Sequence, residues 1–255
     1  MSWIEAIILG IVQGLTEFLP ISSSGHLEIG KALMQSDVEP GLTFTVIVHG
    51  ATVLSIIVVY RRDLLRLLME FFQFEWNAST IYISKLVLSM VPVVIVGLLF
   101  EKEIEQFFTG NLRFVGTMLC ITAALLAFSY FFQSKQKNIS FTHAFLIGIA
   151  QALAVLPGIS RSGATISVGL MLGGKREEVT RFSFLMVLLP IMGANVKDLF
   201  DYNISEAVGT NILPLASGFL AAFFSGLIAC KWMIRIVNRG KVVYFAFYCL
   251  VIGFA

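Results

Sequence analysis

The sequence predicts an all-α integral membrane protein built from two inverted-topology repeats, each a re-entrant helix hairpin plus three transmembrane helices. Three observations carry this. Of 255 residues, 57% are apolar and only 13% charged, against about 25% charged in soluble domains. Six stretches are apolar enough to cross a bilayer, at about 20 residues per span. Residues 10–25, GIVQGLTEFLPISSSG, recur at an offset of 138 as residues 148–163, GIAQALAVLPGISRSG, with eight of sixteen positions identical. The chain reads as a single membrane domain, 1–255, with repeat one at about 1–132 and repeat two at about 143–255.

Repeat one opens with an apolar run, 3–19, that stops at Leu19-Pro20 and continues through Ser22, Ser23, Ser24, Gly25 and His26 into a short run, 27–34. No basic n-region precedes it, so it is expected to be part of the fold and not a cleavable signal peptide. Full spans are expected at 42–60, 82–100 and 112–132. Between the first two, residues 61–76 carry leucines and phenylalanines at helical spacing behind a basic start, the pattern of an amphipathic helix lying on the membrane surface. Repeat two begins with 143–156, a Pro-Gly-Ile-Ser-Arg-Ser-Gly turn and 164–172. Spans follow at 180–200, 212–234 and 242–255.

Neither hairpin arm is long enough to cross alone, and irregular backbone at membrane depth must be buried in protein or line a cavity. Both are therefore read as re-entrant. A hairpin that returns to its own side plus three spans gives an odd number of crossings per repeat. The second repeat is thus inverted, with the sites expected near the midplane. Charge placement agrees. With the N-terminus outside, Lys31, Lys102, Arg113 and Lys197 fall outside, Arg161 falls in the second turn, and the other thirteen Lys and Arg fall inside. Cys120, Cys230 and Cys249 sit in apolar runs without C-x-x-C spacing, which excludes a disulfide framework or zinc site as the organising element. No nucleic-acid partner is expected.

Ionisable groups inside a membrane are costly and point to function. Arg161 lies in a turn of Pro157, Gly158, Ser160, Ser162 and Gly163, read as immediately preceding a helix. Such turns offer backbone N–H groups to anions, and a guanidinium adds planar recognition of phosphate oxygens. Ser160, Ser162 and Thr165 add hydroxyls. The competing reading, that Arg161 only neutralises Glu17, makes poor sense energetically, because an apolar pair would serve stability as well. Gln13 and Glu17, four apart, share a helix face. The carboxylate suits a general base or an Mg²⁺ ligand, with Gln13 coordinating or orienting. The bland reading of Gln13, and still more of Gln151, whose copy has Val155 in place of Glu17, is a structural hydrogen bond. His26, beside the serines, is a candidate nucleophile, general acid or base. One of Ser22, Ser23 and Ser24 is expected to attack or bind phosphate while the others cap a helix at 27. Ser23 is the candidate for attack, and Ser22 and Ser24 for phosphate. His49 reads as a packed, hydrogen-bonded residue. Asn195, Lys197, Asp198 and Asp201 read as a solvated edge at the outer face.

These residues resemble the undecaprenyl-diphosphate phosphatase, or bacitracin-resistance, family. Its first motif is matched by Gln13-Gly-Leu-Thr-Glu17, then Phe-Leu-Pro, serines and Gly25-His26, and its second by Pro157-Gly158-Ile159-Ser160-Arg161-Ser162-Gly163-Ala164-Thr165. Gln13 stands where the motif also allows Glu, which makes it the weaker metal ligand and shifts that duty to Glu17. The resemblance implies hydrolysis of undecaprenyl diphosphate to undecaprenyl phosphate and phosphate, recycling the lipid carrier for cell-wall synthesis and conferring bacitracin resistance. It also implies Mg²⁺ or Ca²⁺ dependence and a homodimer. The expected location is the bacterial cytoplasmic membrane, multi-pass, with both termini outside and the site facing outside. On this reading Arg161, the 158–163 backbone, Ser160, Ser162 and Thr165 hold the terminal phosphate. Glu17 holds the metal or activates the nucleophile, and His26 protonates or attacks in preference to a serine. A lipid-phosphate flippase would use the same anion-binding turn but would not need Glu17 beside His26. A scaffold that only sequesters the lipid would bind without turnover.

Overall fold

The computed structural model describes residues 1–34, 42–107, 111–132, 136–201 and 212–255, with backbone alone at 31–34, 42–43, 105 and 198–201. Among the described residues the protein is all-helical, apart from an isolated bridge between Lys137 and Gly174. The helices are α1 (Trp3–Phe18), α2 (Ser23–Met34), α3 (Leu42–Val59), α4 (Arg61–Phe71), α5 (Ala78–Leu99), α6 (Glu101–Glu105), α7 (Leu112–Tyr130), α8 (Phe141–Leu153), α9 (Arg161–Met171), α10 (Arg176–Met186), α11 (Leu188–Asp201), α12 (Ile212–Asn238) and α13 (Val243–Phe254).

Local sequence sets the starts. Ser2 and Glu5 form a reciprocal capping box on α1, and Asn77, Asn111, Ser140 and Ser160 cap α5, α7, α8 and α9. α3 turns through 77° into α4 at Tyr60. α4 has the lone buried residue Leu67 on one side and exposed Leu65, Leu68 and Met69 elsewhere. Its Asp63 pairs with Arg181 of α10 at 3.1 Å, tying α4 to the bundle.

The span count and the starts of the second arms depart from the expected elements. Four helices are long and apolar enough to cross a membrane, or five if the bent α3–α4 pair counts as one, against six expected spans. α13 has 12 residues, about 18 Å at 1.5 Å per residue, well short of the ~30 Å hydrocarbon layer. The expected span 180–200 is present as one apolar segment, Arg176–Lys197, with a single turn residue, Val187, between α10 and α11; Pro190, which lacks an N–H, sits in the first turn of α11 where none is required. The second arms also start earlier than expected. α2 begins at Ser23, not 27, and α9 at Arg161, not 164, so Arg161 opens the helix instead of preceding it.

Small residues set the packing. A Cβ on Gly14 would meet Ala222 O and the Gly226 backbone, and one on Gly10 would meet Gly218 O, so α1 lies tightly along α12. A Cβ on Gly148 would meet the Ser89 backbone, where α8 crosses α5. α7 and α13 meet at Gly116 and Gly253; a Cβ on Gly116 would stand 2.6 Å from Gly253 O. Close approach through small residues is how helices associate where lipid offers no hydrophobic drive. The largest core cluster gathers Phe18, Ile56, Leu119, Phe182 and Phe184. Phe18 and Phe184 pack edge to face at 5.8 Å. Leu19 and Ile21 of the first tip belong to this core, and Ile159 of the second packs with Ala150 and Ala164 in a smaller one.

Candidate active site

The two turns are built alike. Ser22 Oγ accepts the N–H of Gly25 at 3.3 Å, and Ser160 Oγ accepts that of Gly163 at 3.1 Å. Each of these serines also stands 3.3 Å from a second one, Ser22 from Ser24 and Ser160 from Ser162. The repeated Ser is thus the cap of the second arm, with the repeated Gly three residues on as its partner.

The tips are bonded to each other. Gly158 N–H donates to Ser22 Oγ at 3.1 Å, and Ser162 Oγ donates to Leu19 O at 3.1 Å. Thr122 of α7 fixes the second tip, donating to Gly158 O and accepting from Ser160 N, both at 3.0 Å. Gly158 has φ +97°, and a Cβ there would also meet Val115 O, so only glycine fits. Ser22 has φ +67°, sparsely populated for a side-chain-bearing residue. Its doubly accepting hydroxyl holds it there.

At this junction Glu17 is the hub. Oε1 accepts from Arg161 Nη2 at 2.8 Å; Oε2 accepts from Ser23 Oγ at 2.7 Å and Gln13 Nε2 at 2.9 Å. Ser23 and Arg161 stand 138 residues apart, each the first helical residue of its second arm. Equivalent positions of the two copies thus converge on one carboxylate. The Glu17 side chain is 6% exposed and that of Arg161 29%. Glu17, Ser22, Ser23, Ser24, Ser160 and Arg161 all line a cavity of about 450 Å³.

The other expected site residues stand elsewhere. Gln13 is fully buried and outside the cavity lining, where it orients Glu17 through its amide nitrogen. His26 is also outside the lining. A carbonyl can only accept, so Nδ1–H donates to Ser22 O at 2.8 Å, and Nε2 is then the acceptor for Tyr248 O–H at 2.8 Å. Both ring nitrogens are occupied, and the ring braces the first tip against α13. Thr165 is buried, bonding Arg161 O and Ser183 Oγ, which ties α9 to α10. Gly158, Ile159, Ser160 and Gly163 spend their N–H groups inside the protein. Arg161 and Ser162 are the remaining donors of the first turn of α9, which have no intrahelical acceptor.

Four residues ranked low or passed over in the sequence line the same cavity: His49, Gln151, Asn195 and Glu28. His49 donates from Nδ1 to Thr45 O at 2.9 Å and turns Nε2 to within 4.0 Å of Glu17 Oε2. Gln151 is 2% exposed, and among the described residues neither of its amide atoms has a hydrogen-bond partner. Asn195 faces the cavity, whereas Lys197 pairs with Glu101 of α6. The Asp198 and Asp201 side chains of that expected edge, and those of Lys31 and Lys135 in the charge count, lie outside the described residues. For Gln151 a signal was available: the repeat places it at the position of Gln13, beside the tip. For His49 and Glu28 nothing in the spacing distinguishes them.

The sequence matches the family described as bacitracin resistance protein BacA over residues 6–255. The chain belongs to this family. A BacA-family relative from Parabacteroides distasonis, named undecaprenyl-diphosphatase, is 52% identical over 256 residues, covering 99% of this chain and 96% of the relative. Relatives of the same name come from Bacteroides fragilis, 50% identical over 99% and 96% of the two chains, and from Korarchaeum cryptofilum, 38% identical over 98% and 97%. The matched range, 6–255, includes both tips.

Proposed function

We propose that the protein hydrolyses undecaprenyl diphosphate to undecaprenyl phosphate and inorganic phosphate, returning the lipid carrier to cell-wall synthesis. The observation that carries this is the Arg161–Glu17–Ser23 constellation, which joins a phosphate-binding cation, a base and a hydroxyl nucleophile across the two tips. A flippase would need the cation and the turn, but not a serine hydroxyl donating to a buried carboxylate. The names of the full-length relatives support the same reading.

The chemistry follows from the contacts. Arg161 binds oxygens of the terminal phosphoryl group, exchanging part of its pairing with Glu17 for them. Ser23 Oγ passes its proton to Glu17 Oε2 and forms a bond to the terminal phosphorus. The anhydride P–O bond breaks, its electron pair stays on undecaprenyl phosphate, and the proton leaves with that product. Water then attacks the phosphoserine. Glu17 takes the proton of the water, phosphate departs, and Ser23 Oγ recovers the proton. Positioning and charge stabilisation dominate such transfers. With Nδ1 donating to Thr45 O, His49 Nε2 faces the same space as a proton acceptor, and donates to phosphate oxygens only once protonated. Burial of Gln13 and engagement of both His26 nitrogens support positioning roles for these two.

Divalent-cation dependence, on Mg²⁺ or Ca²⁺, is part of the proposal. Among the described residues no group of three or more His, Cys, Asp or Glu converges, so no preformed cage exists. Glu17 and Glu28 do line one cavity with several hydroxyls. That donor set fits a cation shared with substrate phosphates, the usual Mg²⁺ arrangement of one or two carboxylates plus phosphate oxygens. When bound, the ion would neutralise charge on the diphosphate.

The proposal includes an inverted two-fold arrangement with re-entrant tips, in a single domain with both termini outside the bacterial cytoplasmic membrane. Reciprocal packing supports the arrangement: α1 of the first copy lies on α12 of the second half, and α8 of the second copy on α5 of the first. The termini rest on the charge bias, and a site facing outside and a homodimer rest on the family resemblance. The deciding experiment is phosphate release from undecaprenyl diphosphate by purified protein with Mg²⁺, before and after EDTA. Release abolished by EDTA and restored by Mg²⁺ is expected. Release of no phosphate by folded protein would refute the hydrolase reading, and EDTA-resistant release would refute the cation.

A further inference from the structure

A second cavity lies beside the first. It measures about 460 Å³ and is bounded by α5, α6 and α8, with Pro92, Ile95, Ile104, Ile149, Leu153 and Leu156 in its wall. All of its lining residues are apolar. The two cavities share Val155, and α5 contributes Val93 to the polar one and Pro92 to the apolar one. They are adjoining compartments on the two sides of the α8 C-terminus.

The repeat accounts for the opening of this compartment between α5 and α8. Val155 occupies the position of Glu17 in the other copy, so the hub of the polar site is matched by an apolar residue where the cavities join. In the first copy α1 is held along α12 by two glycines, Gly10 and Gly14. In the second copy Gly148 keeps the first contact, with Ser89, but Ala152 stands at the position of Gly14 and lines the cavity instead. Pro92, inside α5, faces the same gap. A proline within a helix removes a backbone bond and kinks it. The crossing that is closed in one copy is open in the other.

We infer that this groove holds the isoprenoid chain of the substrate as it leaves the diphosphate compartment, passing Val155 between α5 and α8. The inference rests on the proposed hydrolase reading. Gln151 supports the direction. It lies one helical turn before Val155, faces the polar cavity, and has a buried amide with no partner among the described residues. Buried amides are almost always bonded; Gln13 lacks a partner for Oε1 alone, whereas Gln151 lacks one for both atoms and lines the cavity, which marks it as the end of the diphosphate nearest the chain. The diphosphate then runs from Arg161 and Glu17 towards Gln151, and the first isoprene units enter the groove.

The repeat also supplies a matched control. Ile149 is 38% exposed and lines the groove; Ile11, its counterpart, is 40% exposed and faces away from both cavities. The test compares Ile149→Trp with Ile11→Trp in the purified full chain, using undecaprenyl diphosphate and the single-isoprene dimethylallyl diphosphate. Ile149→Trp should raise KM for the long substrate about tenfold, the loss of roughly two buried methylene contacts, with kcat little changed and no matching effect on the short substrate. Ile11→Trp should change neither. Equal effects of the two variants, or equal effects of Ile149→Trp on both substrates, would overturn the inference. A second arm does not need turnover: a polyprenyl diphosphate with a photoreactive diazirine on its first isoprene units is crosslinked to the parent protein. Adducts on α5 and α8 are expected. Adducts spread over the outer helices would mean that bilayer lipid fills the groove and would overturn it. Absence of turnover with adducts in the groove would refute the hydrolase reading and leave the chain site standing.

Discussion

Replacing Arg161 by alanine separates a catalytic clamp from a structural ion pair. The guanidinium lies 2.8 Å from a carboxylate that is 6% exposed. Breaking a fully buried pair costs about 3–5 kcal/mol, and a surface pair contributes at most about 1. With the Arg161 side chain 29% exposed, the pair sits between, so Arg161→Ala should destabilise by about 2 kcal/mol. Removing one preorganised donor from developing charge costs about 2.7–4 kcal/mol, or 10²–10³-fold in rate. The assay is phosphate release under saturating undecaprenyl diphosphate, with thermal unfolding in the same detergent. Adding Glu17→Gln to Arg161→Ala should recover the lost stability, because no uncompensated charge remains, and should recover no activity. Arg161→Lys keeps the charge but loses the planar fork, so it should fall between parent and alanine. Turnover above about a tenth of parent in Arg161→Ala would refute the clamp. Stability and turnover rising together in the double variant would return Arg161 to a purely structural role.

Other expectations follow from the same contacts. Ser23→Ala should lower turnover by at least about 10³-fold, and rapid-quench mass spectrometry of the parent should find phosphate on Ser23; label elsewhere, or near-parent turnover, would make water the attacking group. Gln151→Leu should raise the unfolding temperature, because a buried unsatisfied amide costs about 1–3 kcal/mol, while raising KM about tenfold as a substrate bond is lost; an unchanged KM would remove Gln151 from the substrate path. Gly10→Ala should destabilise by about 1–3 kcal/mol through overpacking against Gly218 O. Gly97→Ala, with nothing within 4 Å of the new methyl, should be neutral or stabilising by up to about 1 kcal/mol. Equal shifts would deny the close α1–α12 contact.

The repeat made most of the tip legible. Identical residues at one offset located both turns, and the differing ones, Glu17, Ser23 and Arg161, are the residues that meet. The start of α2 was misread because serines and glycine were taken as turn formers, when the repeated Ser22 and Ser160 are N-caps whose hydroxyls already bond Gly25 and Gly163. Local pattern says that a serine can cap; tertiary contact decides which one does. The two histidines exchanged places for a similar reason. His26 is adjacent in sequence to the serines, but its helix turns it towards Tyr248, whereas His49 comes from α3 and reaches Glu17 across the bundle. Sequence proximity to a motif is not proximity to its cavity. The last expected span went astray because hydropathy registers apolar character, whereas α13 has 12 residues, too few to cross.

The divergence between copies then has a physical order. A symmetric ancestor of two such tips would place identical groups on both sides of the junction, and two carboxylates or two guanidiniums there would repel each other at the cost of burial. Unlike residues at equivalent positions remove that conflict. Ser23 and Arg161, both at the first helical position, approach a carboxylate from opposite tips as donors of different kind: one a hydroxyl that can be spent as a nucleophile, the other a permanent charge that cannot. Glu17 and Val155 divide the remaining task, because an amphiphilic substrate needs one side of the junction polar and the other apolar. A second carboxylate at 155 would face an all-apolar compartment and carry a large desolvation penalty. Val155→Glu is therefore the reversal to make. It should abolish turnover of undecaprenyl diphosphate while the Arg161–Glu17 pair stays intact, because the added charge closes the chain's exit and leaves the reacting groups in place. Parent-level turnover in that variant would mean that the chain leaves by another route.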